Sequence, residues 1–146
     1  MKIGFIGLGN MATAIIGGLL REDTALSSED GNATVITAAN IIGSAKTEAT
    51  RQKRAEQFGI AVTASNREVA EAADVVVLAV KPQFFPEVIA EIRDAVSENT
   101  LVISIAAGLT LERIAGLFDR NVAAMRLIRC MPNTPALVNA GCTAVV

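Results

Sequence analysis

The sequence has no histidine and only two cysteines, Cys130 and Cys142. Two thiols do not make a disulfide framework, and no metal-ligand spacing is available, so no metal is expected. Both cysteines read as buried strand residues of a reducing compartment. Aromatic residues are only 3% of the chain against 51% hydrophobic residues overall, so the core is aliphatic. Charge is nearly balanced, 13 basic against 15 acidic residues for a net −2. That leaves no electrostatic footprint for nucleic acid or an anionic membrane. The basic residues are scattered, apart from a modest cluster at Arg51, Lys53 and Arg54. No apolar run reaches the ~20 residues of a membrane span. Lys2 followed by an apolar stretch mimics a signal peptide, but Gly4, Gly7 and Gly9 break it, and nothing after Leu20 looks like a cleavage site. The expectation is one soluble, cytoplasmic domain of 146 residues, long enough to bury a core.

What the chain does contain is an alternation of short apolar runs and helical patterns, the mark of strand–helix–strand units. Lys2–Ile6 reads as a first strand and Met11–Leu20 as an apolar helix, with Glu22–Ala33 a polar connection. Thr34–Ala39 reads as the second strand. A charged helix runs from about Thr47 to Phe58 and stops at Gly59. Ala61–Ala64 is a short strand and Arg67–Ala73 a short helix. Asp74–Val80 is an unbroken Val/Leu run, as in a parallel strand buried on both faces. Pro82 ends it, and Phe85–Val96 forms an amphipathic helix. Thr100–Ala106, Met125–Cys130 and Cys142–Val146 are further strands, with a helix over Thr110–Phe118. The predicted fold is α/β, a Rossmann-type doubly wound, mainly parallel sheet flanked by helices. The chain stops inside its last strand, so the sequence is expected to be part of a longer protein.

Four segments carry chemistry. Gly7-Leu8-Gly9-Asn10-Met11-Ala12 lies between a strand and a helix. There Gly7 makes the tight turn, Gly9 lets the backbone approach a pyrophosphate, and Ala12 lets helix and strand pack closely. The helix opening near Asn10 offers free N–H groups and a positive dipole end to phosphates. The end of the second strand selects the dinucleotide, and Asn40, with Ser44 and Lys46 nearby, is the candidate there. No acid occurs between Asp30 and Glu48. This favours NADP(H), with NAD(H) as the other possibility. Ala79-Val80-Lys81-Pro82-Gln83 ends the buried Val/Leu strand at the edge where open α/β sheets bind ligands. Ser104-Ile105-Ala106-Ala107-Gly108 ends the next strand with small residues that let a flat ring lie close. After the sixth strand, Pro132 and Pro135 stiffen a loop in which Asn133 and Thr134 are substrate-proximal.

Together with Arg129-Cys130-Met131-Pro132-Asn133-Thr134-Pro135, these segments resemble the pyrroline-5-carboxylate reductase family across essentially the whole chain. The resemblance implies NAD(P)H-dependent reduction of 1-pyrroline-5-carboxylate to proline. It carries cofactor roles onto Ile6, Gly7, Leu8, Gly9, Asn10, Met11, Asn40, Asn66, Ala79, Val80, Lys81, Pro82, Ile105, Ala106 and Ala107. It also implies a C-terminal helical domain, absent here, that builds a homo-oligomer and completes the substrate pocket. The implied chemistry is hydride transfer from nicotinamide to the C5 carbon of a cyclic imine. A protonated imine is already electrophilic, so no catalytic residue is assigned in this chain, and the isolated chain is expected to turn over little. The expected partner is a small-molecule substrate, not nucleic acid or membrane. The competing readings are the cofactor domain of a hydroxyacid or prephenate dehydrogenase and a non-enzymatic NADP(H)-binding sensor.

Overall fold

A parallel sheet hides both faces, so its central strands must be aliphatic on both sides. Val75–Leu78 and Leu101–Ser104 meet that demand and pair with each other near the middle of the sheet, Val75–Leu78 lying beside the first strand. The computed structural model describes residues 1–21, 25–27, 31, 33–133 and 142–146. In chain order, β1 (Ile3–Ile6) and α1 (Asn10–Leu19) are followed by β2 (Ala25–Ser27) and β3 (Ala33–Val35). Then come β4 (Ile41–Ser44), α2 (Glu48–Phe58), β5 (Ala61–Thr63) and α3 (Asn66–Ala72). The second half holds β6 (Val75–Leu78), α4 (Phe85–Ile92), β7 (Leu101–Ser104), α5 (Leu111–Leu117), β8 (Arg126–Met131) and β9 (Ala144–Val145).

The main sheet has the order β5-β4-β1-β6-β7-β8-β9. Its pairings are parallel up to β8, and β9 returns antiparallel. The fold is therefore the α/β, doubly wound, mainly parallel arrangement that the alternation of runs predicts. Its two faces are unlike. One packs Val76, Leu78 and Val102 against Val69 of α3, Phe85 and Ile89 of α4 and Ile114 of α5, all 0–1% exposed. The other packs Ile3, Phe5 and Ile41 against Ala12 and Ile16 of α1.

The helix starts are local and legible. Thr47, Ser65 and Thr110 each accept a hydrogen bond from a backbone N–H three residues on, at Thr50, Glu68 and Arg113. Gly59, with φ +68°, closes α2. Thr47→Ala is expected to lower stability by about 1 kcal/mol, read as a shifted denaturant midpoint with an unchanged slope.

One strand differs from the expectation. Residues 34–39 do not form the second strand of the main sheet. β3 instead pairs antiparallel with β2 as a separate two-stranded ribbon, so the polar connection itself contains a strand. The strand beside β1 is β4, residues 41–44, in the register Ile3↔Ile41 to Ile6↔Ser44. Its glycine disguises it. A Cβ at Gly43 would stand 2.6 Å from Leu8 Cδ2, so the strand gives up a side chain to seat Leu8. Both cysteines are free thiols, but they are not both buried: Cys130 in β8 is half-buried, whereas Cys142 precedes β9 and is exposed.

Candidate functional site

The sheet order places strands on both sides of β1, with β4 on one side and β6 on the other. In an open α/β sheet the crevice beyond such a point, at the carboxyl ends of the strands, is where ligands bind. A cleft of about 260 Å³ lies there, lined by Gly7 and Gly9, by Ser44, Ala45 and Lys46, by Asn66, and by residues from Ala79 to Val88.

Its floor is the glycine turn. The Gly7 N–H donates to the Ser44 carbonyl at 3.1 Å, and the Ala79 N–H donates to the Ile6 carbonyl at 2.9 Å. These two bonds tie the turn to both neighbouring strands. Gly7 has φ +95°, and a Cβ on it would lie 2.9 Å from Val80 Cγ1 and 3.0 Å from the Ala79 carbonyl oxygen. Gly9 is different. Its φ is −77°, and no heavy atom lies within 4 Å of where a Cβ would be. The space above Gly9 is open for a ligand.

Helix α1 begins at that space without a side-chain cap and without an acid in its first turn. Among the described residues the other four α-helices each carry a glutamate in the first turn, namely Glu48, Glu68, Glu87 and Glu112. Those acids offset the helix dipole, whereas α1 keeps its positive end. The first intrahelical bond of α1 runs from Thr13 N to the Gly9 carbonyl at 3.0 Å, so the amides of residues 10–12 have no helical acceptor. An anion is the chemical group that such an end accepts.

The walls are ordered by polar contacts that join separate elements. Ser44 Oγ donates to Asn66 Oδ1 at 2.7 Å, and Asn66 Nδ2 donates to Glu91 Oε2 at 2.7 Å. Asn66 thus links the end of β4 to α4 across the cleft. Arg51 Nη1 donates to the carbonyls of Ala45 and Lys46, at 2.7 and 2.9 Å. Arg54 Nε donates to the Leu8 carbonyl at 3.3 Å. Two arginines at i and i+3 on α2 therefore fasten the loop after β4 and the glycine turn. Composition shows them only as a basic cluster, although their spacing already puts them on one helix face. Lys46 is exposed, with Nζ 3.7 Å from Glu87 Oε1 and 5.0 Å from the centre of the Phe84 ring. An exposed pair of that kind holds weakly, so Lys46 is available to a bound anion.

The structure brings Gly7, Gly9, Asn66, Ala79, Val80 and Lys81 together in the cleft. Ile6 and Leu8 are buried beneath it, Asn10 and Met11 open α1 at its rim, and Pro82 begins the following turn. Ile105, Ala106 and Ala107 lie at the same edge one strand further along, where the Ile105 N–H donates to the Leu78 carbonyl at 3.3 Å. They do not line the cleft itself. Asn133 is exposed, and its Oδ1 accepts from the Cys142 N–H at 2.9 Å. Thr134 lies outside the described residues.

Asn40 is a correction. It precedes β4, level with the start of β1, at the amino-terminal edge of the sheet. The four extended residues of β4 separate it from Ala45, about 16 Å along the strand direction. Its side chain is occupied there: Nδ2 donates to the Met1 carbonyl at 3.0 Å, and Oδ1 accepts from the Thr37 N–H at 2.9 Å. The residues at the carboxyl end of β4 are Ser44, Ala45 and Lys46, which again include no acid.

Comparison with known proteins follows the same lines. Residues 2–108 match the family described as NADP oxidoreductase coenzyme F420-dependent. A pyrroline-5-carboxylate reductase from Escherichia coli is 43% identical over 144 residues, covering 99% of this chain and 48% of that protein. The solved pyrroline-5-carboxylate reductase of Coxiella burnetii superposes with a TM-score of 0.85 at 36% identity, over 99% of this chain and 48% of the other. A pyrroline carboxylate reductase from Plasmodium falciparum, solved with NADP bound, gives 0.74 at 27% identity, over 100% and 47%. The chain spans about half the length of the relatives it matches.

Proposed function

This chain belongs to the NADP oxidoreductase coenzyme F420-dependent family, and on that premise we propose that it is the cofactor-binding half of an NADPH-dependent pyrroline-5-carboxylate reductase. The observation that carries the cofactor reading is the uncapped, acid-free start of α1, set over the open space at Gly9. The substrate comes from the relatives, whose names specify it over nearly the whole of this chain.

The residues present fit a dinucleotide. The α1 amides and Gly9 receive its pyrophosphate, and the Ala79–Lys81 backbone forms the wall along which its sugar runs. Ser44 and Lys46, on the loop braced by Arg51, meet the adenosine end. With no carboxylate at that point, a 2′-phosphate is accepted and not repelled. When bound, the reduced nicotinamide supplies the hydride that, with one proton, reduces the C=N bond of 1-pyrroline-5-carboxylate to give L-proline. This chain's part is to hold and orient; the groups that hold the substrate carboxylate belong to the other half of the protein. That half also builds the homo-oligomer, and the two free thiols suit a cytoplasmic setting. No helix among the described residues is long and apolar enough to cross a membrane.

Thermal unfolding with NADPH and NADH tests the reading. A ligand at 100 times its Kd stabilises by about 2.7 kcal/mol, and a chain of this size shifts roughly 2–4 °C per kcal/mol. A rise of several degrees is expected with NADPH and a smaller one with NADH. Lys46→Ala is expected to shrink the NADPH shift and leave the NADH shift alone. No shift with either nucleotide, for a chain that still unfolds cooperatively, would overturn the reading. Mixed with 1-pyrroline-5-carboxylate and NADPH, the isolated chain is expected to give no steady turnover.

A further inference from the structure

The polarity of one wall of the cleft is set from outside it. Ser44, at the carboxyl end of β4, is 1% exposed and lines the cleft together with Asn66, the first residue of α3. Neither side chain fixes its own orientation. A hydroxyl can donate or accept, and an amide can be turned end for end without a change of shape. The choice is made by Glu91 on α4, an exposed residue that does not itself line the cleft.

A carboxylate only accepts. Glu91 Oε2 therefore takes the nitrogen end of the Asn66 amide, and Nδ2 donates to it at 2.7 Å. That turns Asn66 Oδ1 toward β4. Oδ1 also only accepts, so the Ser44 hydroxyl must donate, which it does at 2.7 Å. With its one hydrogen engaged by Asn66, Ser44 shows the cleft only lone pairs. Two hydrogen bonds thus carry the acceptor character of Glu91 to the end of β4, where Ser44, Ala45 and Lys46 include no acid.

Lone pairs at that point suit one dinucleotide better than the other. A ribose 2′-hydroxyl can donate to Ser44, whereas a 2′-phosphate needs donors. Lys46 is such a donor, and Ser44 in this polarity is not. We propose that Glu91 is a specificity-determining positioning residue. Through Asn66 it holds Ser44 as an acceptor for the adenosine ribose hydroxyl, which keeps affinity for NADH and limits the preference for NADPH that Lys46 creates. This inference rests on the reading of the cleft as a dinucleotide site.

Glu91→Gln tests it, with NADPH and NADH titrated separately by calorimetry. Glutamine keeps the length of Glu91 but can offer Asn66 either its oxygen or its nitrogen. The amide pair is then free to reverse, and Ser44 can donate to a 2′-phosphate. NADPH is expected to bind about 10-fold more tightly, the worth of a hydrogen bond to a charged group. NADH affinity is expected to stay within 2-fold, because the original arrangement is still available to it. Removing a negative charge also favours a phosphate through space, so the same change is made in a Ser44→Ala background. There the gain is expected to vanish, and a gain of equal size would overturn the proposal. Ser44→Ala alone gives an independent reading: about 5-fold weaker NADH binding with NADPH little changed. A larger loss for NADPH would mean that Ser44 donates to the phosphate, and would overturn the proposal even if Glu91→Gln fails to fold. An unchanged NADPH-to-NADH ratio in Glu91→Gln, or an equal weakening of both, would leave Glu91 a structural residue and the cofactor reading intact. A wild-type chain that binds neither nucleotide would overturn both readings together.

Discussion

Replacing Gly7 by alanine is expected to remove NADPH-induced stabilisation, weakening cofactor binding at least 100-fold, which is about 2.7 kcal/mol. Two causes add. The positive φ of +95° is strained for any side chain, at about 1–3 kcal/mol. The new methyl would also meet Val80 Cγ1 at 2.9 Å and the Ala79 carbonyl oxygen at 3.0 Å. Relief requires moving the Ala79–Val80 backbone, which is a wall of the cleft. Gly9→Ala separates structure from binding. Gly9 has an ordinary φ and an empty surround, so alanine there leaves folding intact or raises stability slightly. It does, however, put a methyl where the pyrophosphate approaches. Thermal unfolding with and without NADPH is expected to show Gly9→Ala unaltered alone and unresponsive to nucleotide. A Gly9→Ala chain that binds NADPH normally would mean that the phosphates do not pass over this turn.

Phe85→Ala is expected to destabilise the chain by about 3–5 kcal/mol, a large part of the 5–15 kcal/mol typical of a domain. Phe85 is 1% exposed and starts α4, anchoring it among Val76, Leu78 and Val102 of the sheet and Ile114 of α5. Few residues are of comparable bulk, since the chain holds only five phenylalanines. The aliphatic neighbours cannot collapse into a hole of that size without moving a strand. Urea unfolding would show the loss as a lower midpoint with the same slope. A change below 1 kcal/mol would mean that α4 is held by its other buried residues, Val88, Ile89 and Ile92.

Much of the fold is written locally, and these parts read correctly. The Val75–Leu78 run can only be a buried strand, and Thr47 and Gly59 mark helix ends with a side chain or a φ value that acts within a few residues. The glycine turn reads for the same reason. What failed depends on distant residues. Gly43 makes β4 look like a loop, and its reason is Leu8, 35 positions earlier. Once Thr34–Ala39 is taken for the second strand, Asn40 falls at its end, on the wrong edge of the sheet. The true register is set by pairing with β1, and nothing within the segment records it. The braces supplied by Arg51 and Arg54 were legible only as spacing, because their acceptors are backbone carbonyls, which every residue has.

The position of β1 has a consequence for how the molecule forms. The strand made first is flanked by β4 and β6, and its partnership with β6 begins with Lys2 N–H donating to Asp74 Oδ2, across 72 residues. Until residue 78 is available, one edge of β1 stays unpaired and Phe5 and Ile6 lack much of their packing. Pairings this distant in sequence slow folding toward the millisecond-to-second range. β1 is therefore completed only by strands that are synthesised after it, and until they close on it the early apolar segment keeps an edge open to pairing with another copy of itself.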